Sequence, residues 1–152
     1  MEFTIREPAL SQGRVCEPIL RSLPQWFGIE SALLQYVKDI EKLPTLIACQ
    51  NNQAVGFLTL KQHNQYSSEV YVMGVAPELH RSGVGRSLMI AAEQLLKAGG
   101  VEYLQVKTLG ASHPDSHYAL TRAFYMSMGF KPLEEFNHIW NSIPCLLMVK
   151  AL

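Results

Sequence analysis

Two glycines one residue apart, Gly83 and Gly85, lie in the segment Val75-Ala76-Pro77-Glu78-Leu79-His80-Arg81-Ser82-Gly83-Val84-Gly85-Arg86-Ser87-Leu88. An apolar run ends, a short loop follows, and the glycines open a helical pattern. Glycine lets a backbone approach a ligand closely and adopt conformations closed to other residues. The first turn of a helix presents N–H groups without intrahelical acceptors at the positive end of its dipole. Together these features can cradle a pyrophosphate, with Arg81 and Arg86 adding charge-assisted bonds. Two nucleotide patterns are excluded. The dinucleotide fingerprint needs a third glycine where Leu88 stands, and the P-loop needs Gly-Lys-Ser/Thr, which the segment lacks. One plainer reading stays open, in which Gly83 and Gly85 only shape a tight strand-to-helix connection.

The elements that must position such a cradle fit one ordinary globular domain over residues 1–152, since 48% hydrophobic residues supply a sizeable core. The formal net charge is zero. That argues against nucleic acid as the main partner, because neutralising phosphates needs an excess of Lys and Arg, and it gives no support to a polybasic membrane anchor. Met1 to Pro8 carries Glu2, Arg6 and Glu7 without an apolar run, so no signal peptide is expected there. No stretch is long and apolar enough for a transmembrane helix. Cys16, Cys49 and Cys145 are odd in number and far apart, which makes neither a disulfide framework nor a metal pattern. A reducing cytoplasm is the expected setting.

Along the chain, Glu2 to Arg6 reads as a short strand and Cys16 to Leu23 as a helix stopped by Pro24. Ile29, Leu33, Val37 and Ile40 recur at helical spacing. Three strands follow, Thr45 to Cys49, Ala54 to Leu60 and Glu69 to Val75, which suggests an antiparallel meander. The almost continuously apolar Val70-Tyr71-Val72-Met73 suits a central strand covered on both faces. Val84, Leu88, Ala91 and Leu95 form a helical stripe ending at Gly99-Gly100. Val101 to Lys107 reads as a strand, Gly110 to Ser116 as a loop, and Leu120, Phe124 and Met128 as a helix ended by Gly129. Phe130 to Phe136 and Cys145 to Lys150 read as closing strands, with Asn137 to Pro144 as a loop between them.

From Thr45 onward the chain resembles the GNAT family of acetyltransferases. The segment His80-Arg81-Ser82-Gly83-Val84-Gly85 is similar to the family's Arg/Gln-x-x-Gly-x-Gly/Ala from its second position on, with His80 in place of the usual Gln or Arg. Downstream, Phe124-Tyr125-Met126-Ser127-Met128-Gly129-Phe130 resembles the family's Tyr-x-x-x-Gly-Phe, while Tyr118 and Thr121 replace the usual upstream Asn and Ala. The resemblance implies a mixed α/β fold, a central, mostly antiparallel sheet with splayed middle strands flanked by helices. It implies acetyl-CoA as co-substrate and no metal. The amides of Arg81, Ser82, Gly83, Val84, Gly85 and Arg86, together with Ser87, would hold the coenzyme pyrophosphate. Met73, Gly74 and Val75 would pair with the pantetheine arm, Gly74 letting it lie close, and this strand would splay from Val101 to Lys107.

The chemistry implied is direct attack of an amine on a thioester. The amine must shed a proton, and the departing thiolate should receive one. The family position makes Tyr125 the acid, and a phenol of reference pKa about 10 keeps its proton until needed. The plain alternative is a core tyrosine satisfying a carbonyl. Glu69 is the candidate base. It opens an otherwise apolar strand six residues before Val75, the offset of the catalytic glutamate in histone-acetyltransferase-like relatives. Burial would raise its pKa, yet the mismatch with a free amine is about six units, roughly 8 kcal/mol, so a water relay or capture of a neutral amine fits as well. A solvated strand-end glutamate is the alternative. The oxyanion would meet a backbone N–H of Met73 to Val75. An acyl-cysteine route finds no activated thiol among Cys16, Cys49 and Cys145.

For the acceptor, the resemblance points to the segment between the first two helices. Trp26 and Phe27 would wall an apolar part of the substrate and Glu30 or Tyr36 would meet a cation, or the two aromatics simply cover the sheet. Trp140 would close the same cleft or pack beneath it. His63, His80, His113, His117 and His138 lack metal spacing and read as loop residues. The expected activity is N-acetylation of a small-molecule or protein amine. A non-catalytic acyl-CoA-binding module is the alternative. Family members are often homodimers.

Overall fold

The computed structural model describes residues 2–152. Strands and helices follow in the order β1 (Thr4–Ile5), α1 (Gly13–Arg21), α2 (Glu30–Ile40), β2 (Thr45–Gln50), β3 (Gln53–Gln62), β4 (Ser67–Val75), α3 (Val84–Ala98), β5 (Tyr103–Leu109), α4 (Ser116–Ser127), β6 (Lys131–Trp140) and β7 (Ile143–Ala151). The hydrogen-bonded strand order is β1-β2-β3-β4-β5-β7-β6. The chain forms two compact units, Met1–Lys61 with Tyr71–Leu95, and Gln62–Val70 with Leu96–Leu152.

In the first unit, β2 and β3 pair antiparallel from Thr45↔Thr59 to Gln50↔Gln53. Asn51 and Asn52 turn between them with φ of 52° and 61°, the double left-handed turn whose twist matches a right-twisted hairpin. Cys16, Leu20, Leu33, Ile40 and Phe57 form the buried core on this side. Two glycines set how closely layers approach. A Cβ at Gly56 would lie 2.9 Å from Val84 Cγ1 and 3.3 Å from Leu88 Cδ1, so its absence lets the start of α3 sit against β3. A Cβ at Gly74 would meet Leu23 Cδ1 and Phe57 Cε1 at 3.1 Å. The missing side chain at Gly74 is therefore explained by packing against Leu23 and Phe57.

In the second unit, β4 and β5 run parallel, with Ser67, Ser68, Glu69 and Val70 opposite Tyr103, Leu104, Gln105 and Val106. The two strands continue beyond this ladder, to Val75 and Leu109. β7 pairs antiparallel with β5 over its whole length and with β6 on its other side.

Several boundaries differ from the sequence expectation for local reasons. α1 starts earlier, at Gly13, and ends at Arg21 with Ser22 as its cap, before Pro24 is reached. Val101 belongs to a helix cap and not to β5. Its N–H bonds Leu96 O while Gly100, at φ 84°, bonds Lys97 O. This is a Schellman motif, which satisfies the last carbonyls of α3. The expected loop from Asn137 to Pro144 is instead the tip of the β6–β7 hairpin, where Asn141 and Ser142 turn at φ 45° and 75°. Trp140 thus ends a strand, paired with Ile143.

Candidate active site

The cradle segment folds as its residues require. Pro77 ends β4 and begins a single 3₁₀ turn, Pro77–Leu79. Arg81 and Gly83 both take left-handed φ, 64° and 93°. Ser87 N–H bonds Gly83 O at 3.0 Å, so Gly83 caps α3 and the amides of Val84 and Gly85 have no acceptor within the helix. Nothing lies within 4 Å of where a Gly83 Cβ would be. The glycine therefore serves the backbone conformation and keeps that approach open. Arg81 and Arg86 are exposed, and Ser82 Oγ donates to Leu79 O. Amides at a helix start without a helical acceptor are the kind of group that can meet an anion.

His80, the departure from the family motif, has a structural task here. Its Nε2 lies 2.8 Å from Val75 O, which ties the loop to the end of β4. Trp26 stands edge-on to the His80 ring at 5.9 Å. Phe27 stacks edge-on to Tyr36 at 5.6 Å, and Tyr36 to Tyr71 at 5.8 Å. Trp26, Phe27 and Tyr36 all pack against the core of the first unit. Glu30 is held elsewhere. Its two oxygens take hydrogens from Arg21 Nη1 and Nη2 at 2.9 and 3.0 Å, and those hydrogen bonds hold its carboxyl below the usual range. Trp26 and Phe27 thus meet His80 and Tyr36, while Glu30 is paired with Arg21. A cavity of about 190 Å³ in the same unit is lined by Asp39, Lys42, Leu43, Lys61 and Tyr71, none of them among the expected cofactor ligands.

In the second unit the structure gives a physical reason for the Tyr-x-x-x-Gly-Phe spacing. Asp115 Oδ1 caps α4 by accepting from the amides of His117 and Tyr118 at 2.9 and 3.1 Å. The helix ends in another Schellman motif, in which Gly129, at φ 96°, bonds Met126 O and Phe130 N–H bonds Tyr125 O, both at 3.0 Å. The hydrophobic contact that accompanies this motif is the Tyr125–Phe130 ring pair, 5.7 Å apart. Tyr125 is thus fixed by both backbone and ring, with 7% of its surface exposed. Arg122 Nη1 bonds Leu109 O at 2.6 Å and anchors α4 to the end of β5.

Glu69 is not the solvated strand-end carboxylate of the alternative reading. It is buried, yet Lys107 Nζ lies 3.2 Å from both its oxygens and His63 Nε2 lies 2.7 Å from Oε1. Glu69 thus has two side-chain partners. Spacing alone could not reveal them. His63 lies across a turn from Glu69, and Lys107 is brought near by the register of a parallel neighbour strand. The thiols offer no acylation site. Cys16 is buried and its thiol is pushed up to about 12, first by that burial and then by Glu41. Burial also raises Cys145, with Lys107 opposing and Glu69 adding to the effect. Among the described residues, no three His, Cys, Asp or Glu side chains are grouped to hold a metal, and no helix is long and apolar enough to cross a membrane.

Comparison with known proteins places these features in a family. The sequence pattern of the family described as Acetyltransferase (GNAT) domain matches residues 29–132. Mycothiol acetyltransferase of Renibacterium salmoninarum is 30% identical over 128 residues, 78% of this chain and 32% of that protein, so the chain spans about a third of that relative's length. An acetyltransferase of the GNAT family from Desulfovibrio desulfuricans superposes with a TM-score of 0.82 at 18% identity, covering 99% of both chains. PaiA N-acetyltransferase from Thermoplasma acidophilum, solved in complex with coenzyme A, gives 0.78 at 17% identity over 100% of both. The match spans more than half of the sequence, and the chain belongs to the GNAT family of acetyltransferases.

Proposed function

We propose that this chain transfers an acetyl group from acetyl-CoA to a primary amine of a small molecule or protein, by direct attack of the amine on the thioester. The observation that carries the reading is the start of α3. Left-handed Arg81 and Gly83 open the amides of Val84 and Gly85 between two exposed guanidinium groups. In this reading Arg81, Ser82, Gly83, Val84, Gly85, Arg86 and Ser87 surround the pyrophosphate. Met73, Gly74 and Val75 offer their backbone to the pantetheine arm, and one of their N–H groups meets the oxyanion. The fixed phenol of Tyr125 protonates the leaving thiolate, and the Glu69 centre receives the proton of the amine. Trp26 and Phe27 border the acceptor, with Glu30 at their margin. The edge-on ring contact between Trp26 and His80 supports this, because it couples the aromatic loop to the cradle. Three buried free thiols suit a reducing cytoplasm, and a homodimer belongs to the same reading.

The test is the melting temperature with acetyl-CoA, using dephospho-CoA and NAD as controls. Ligand at a hundred times its Kd adds about 2.7 kcal/mol, which raises the midpoint by roughly 5–11 °C for a domain of this size. A shift with acetyl-CoA and not NAD, followed by thiol release on adding a primary amine, is the expected result. No shift at millimolar acetyl-CoA overturns the reading. A shift without thiol release from any amine turns it into a non-catalytic acyl-CoA-binding module.

A further inference from the structure

The Glu69 cluster contains a histidine whose geometry is that of an oriented base. Lys107 Nζ donates to both Glu69 oxygens at 3.2 Å, and Oε1 also meets His63 Nε2 at 2.7 Å. A carboxylate paired with an ammonium can only accept. His63 Nε2 therefore carries the hydrogen, and whenever the ring is neutral its lone pair lies on Nδ1. This is the arrangement in which a buried carboxylate fixes the tautomer of a histidine and leaves the other nitrogen basic. Solvent access divides the cluster in the same way. The Glu69 side chain is 6% exposed, whereas His63 is 31% and Lys107 29% exposed. Of the two that reach water, only His63 has a lone pair to offer. Its backbone is also fixed, by an N–H bond to Ser67 O at 2.9 Å.

We propose that the proton leaving the attacking amine is taken by His63 Nδ1, with Glu69 and Lys107 holding the ring in place. The inference rests on the acetyl-transfer reading. The amine nitrogen forms its bond to the thioester carbon, and the carbon–sulfur bond breaks. The amine proton passes to His63, while Tyr125 gives one to the thiolate. His63 then returns its proton to solvent and Tyr125 recovers one, so no net proton is made or lost within the site. An ordinary imidazole accepts from an ordinary amine against a factor of about 10⁴, whereas a carboxylate does so against about 10⁶. The other titratable groups of this cluster are Glu69 on β4, Lys107 on β5 and, behind them, Cys145 on β7, whose thiol burial keeps protonated.

The experiment compares the full-length parent with His63→Gln from pH 5.5 to 9. It uses acetyl-CoA and whichever of spermidine, glucosamine and an alanine-first peptide gives thiol release. Glutamine keeps a donor for Glu69 but has no basic nitrogen. The expected result is a kcat lowered 10²- to 10⁴-fold, loss of the acid limb of kcat/KM, and unchanged thermal stabilisation by acetyl-CoA. In the parent, the His63 ring resonance should titrate with the midpoint of that limb. Parental kcat and an intact acid limb in His63→Gln overturn the proposal. A ring midpoint more than about one unit from the kinetic one does so as well, and this measurement needs no variant and decides alone should His63→Gln not fold. Failure of the underlying reading shows separately, as a parent that releases no thiol with any of the three amines.

Discussion

A single methyl group tests whether β3 seats the phosphate cradle. Gly56→Ala would place a Cβ 2.9 Å from Val84 Cγ1, 3.3 Å from Leu88 Cδ1 and 3.4 Å from Gly74 O. Carbon atoms in good contact lie roughly 3.5–4.0 Å apart, so Val84 must retreat by about 0.6–1.1 Å. Val84 is fully buried, and in a helix its branched side chain has one strongly preferred rotamer. It cannot swing aside, so the displacement passes to the first turn of α3, where the amides of Val84 and Gly85 open the cradle. Overpacking of this kind costs about 1–3 kcal/mol, a midpoint lowered by roughly 2–12 °C. A first turn shifted by that distance should also bind acetyl-CoA about tenfold more weakly, or about 1.4 kcal/mol. The assay is thermal unfolding with and without acetyl-CoA for Gly56→Ala, Val84→Ala and the double variant. Trimming Val84 removes the atoms that clash, so the double variant should be less destabilised than the single costs predict, by about 1–2 kcal/mol. Additive costs, or a Gly56→Ala protein with the parental melting point and acetyl-CoA shift, would refute the reasoning.

Two further perturbations probe other parts of the molecule. Tyr125→Phe keeps the ring contact with Phe130 and removes the acid, so kcat should drop by about 10² or more while the acetyl-CoA thermal shift persists; equal turnover would assign the phenol to structure alone. The Cys16 thiol is raised from 9.0 to about 12 in the fold, so above pH 9 the unfolded chain loses this proton before the folded one does. Its contribution is complete below about pH 9 and disappears as pH rises toward 12, by up to about 4 kcal/mol. Urea unfolding at pH 8 and pH 10.5 should show this fall in the parent and a shallower one in Cys16→Ala.

The order of elements and both family motifs were legible in the sequence because each is a local statement. Gly83 and Gly129 stand where left-handed backbone ends or opens a helix, and Tyr125 is five residues from the Phe130 that clasps it. What escaped the sequence was set by pairing. Lys107 meets Glu69 only because β4 and β5 run parallel in one register, and no spacing rule predicts that neighbour. The surroundings of the acceptor segment were hidden for the opposite reason. Adjacent Trp26 and Phe27 are unusual on a loop, but whether an aromatic lines a pocket or covers a core depends on the partners it finds, here His80 and Tyr36. The tip at Asn141 and Ser142 misled because its polar residues signal a loop, whereas two left-handed residues suffice to turn a hairpin.

The parallel ladder of β4 also sets a schedule for synthesis. Ser67–Val70 leaves the ribosome with β3 and β4, but its partners at Tyr103–Val106 follow only after the whole of α3. During that interval the nascent chain carries a naked strand edge, the feature most apt to recruit a neighbouring polypeptide. Glu69 sits in the middle of that edge with Lys107 still to come. A carboxylate there is costly to bury against an apolar strand, so the edge favours the partner that brings Lys107. The charge that the finished fold pairs with Lys107 thus first guards the unfinished one against misassembly.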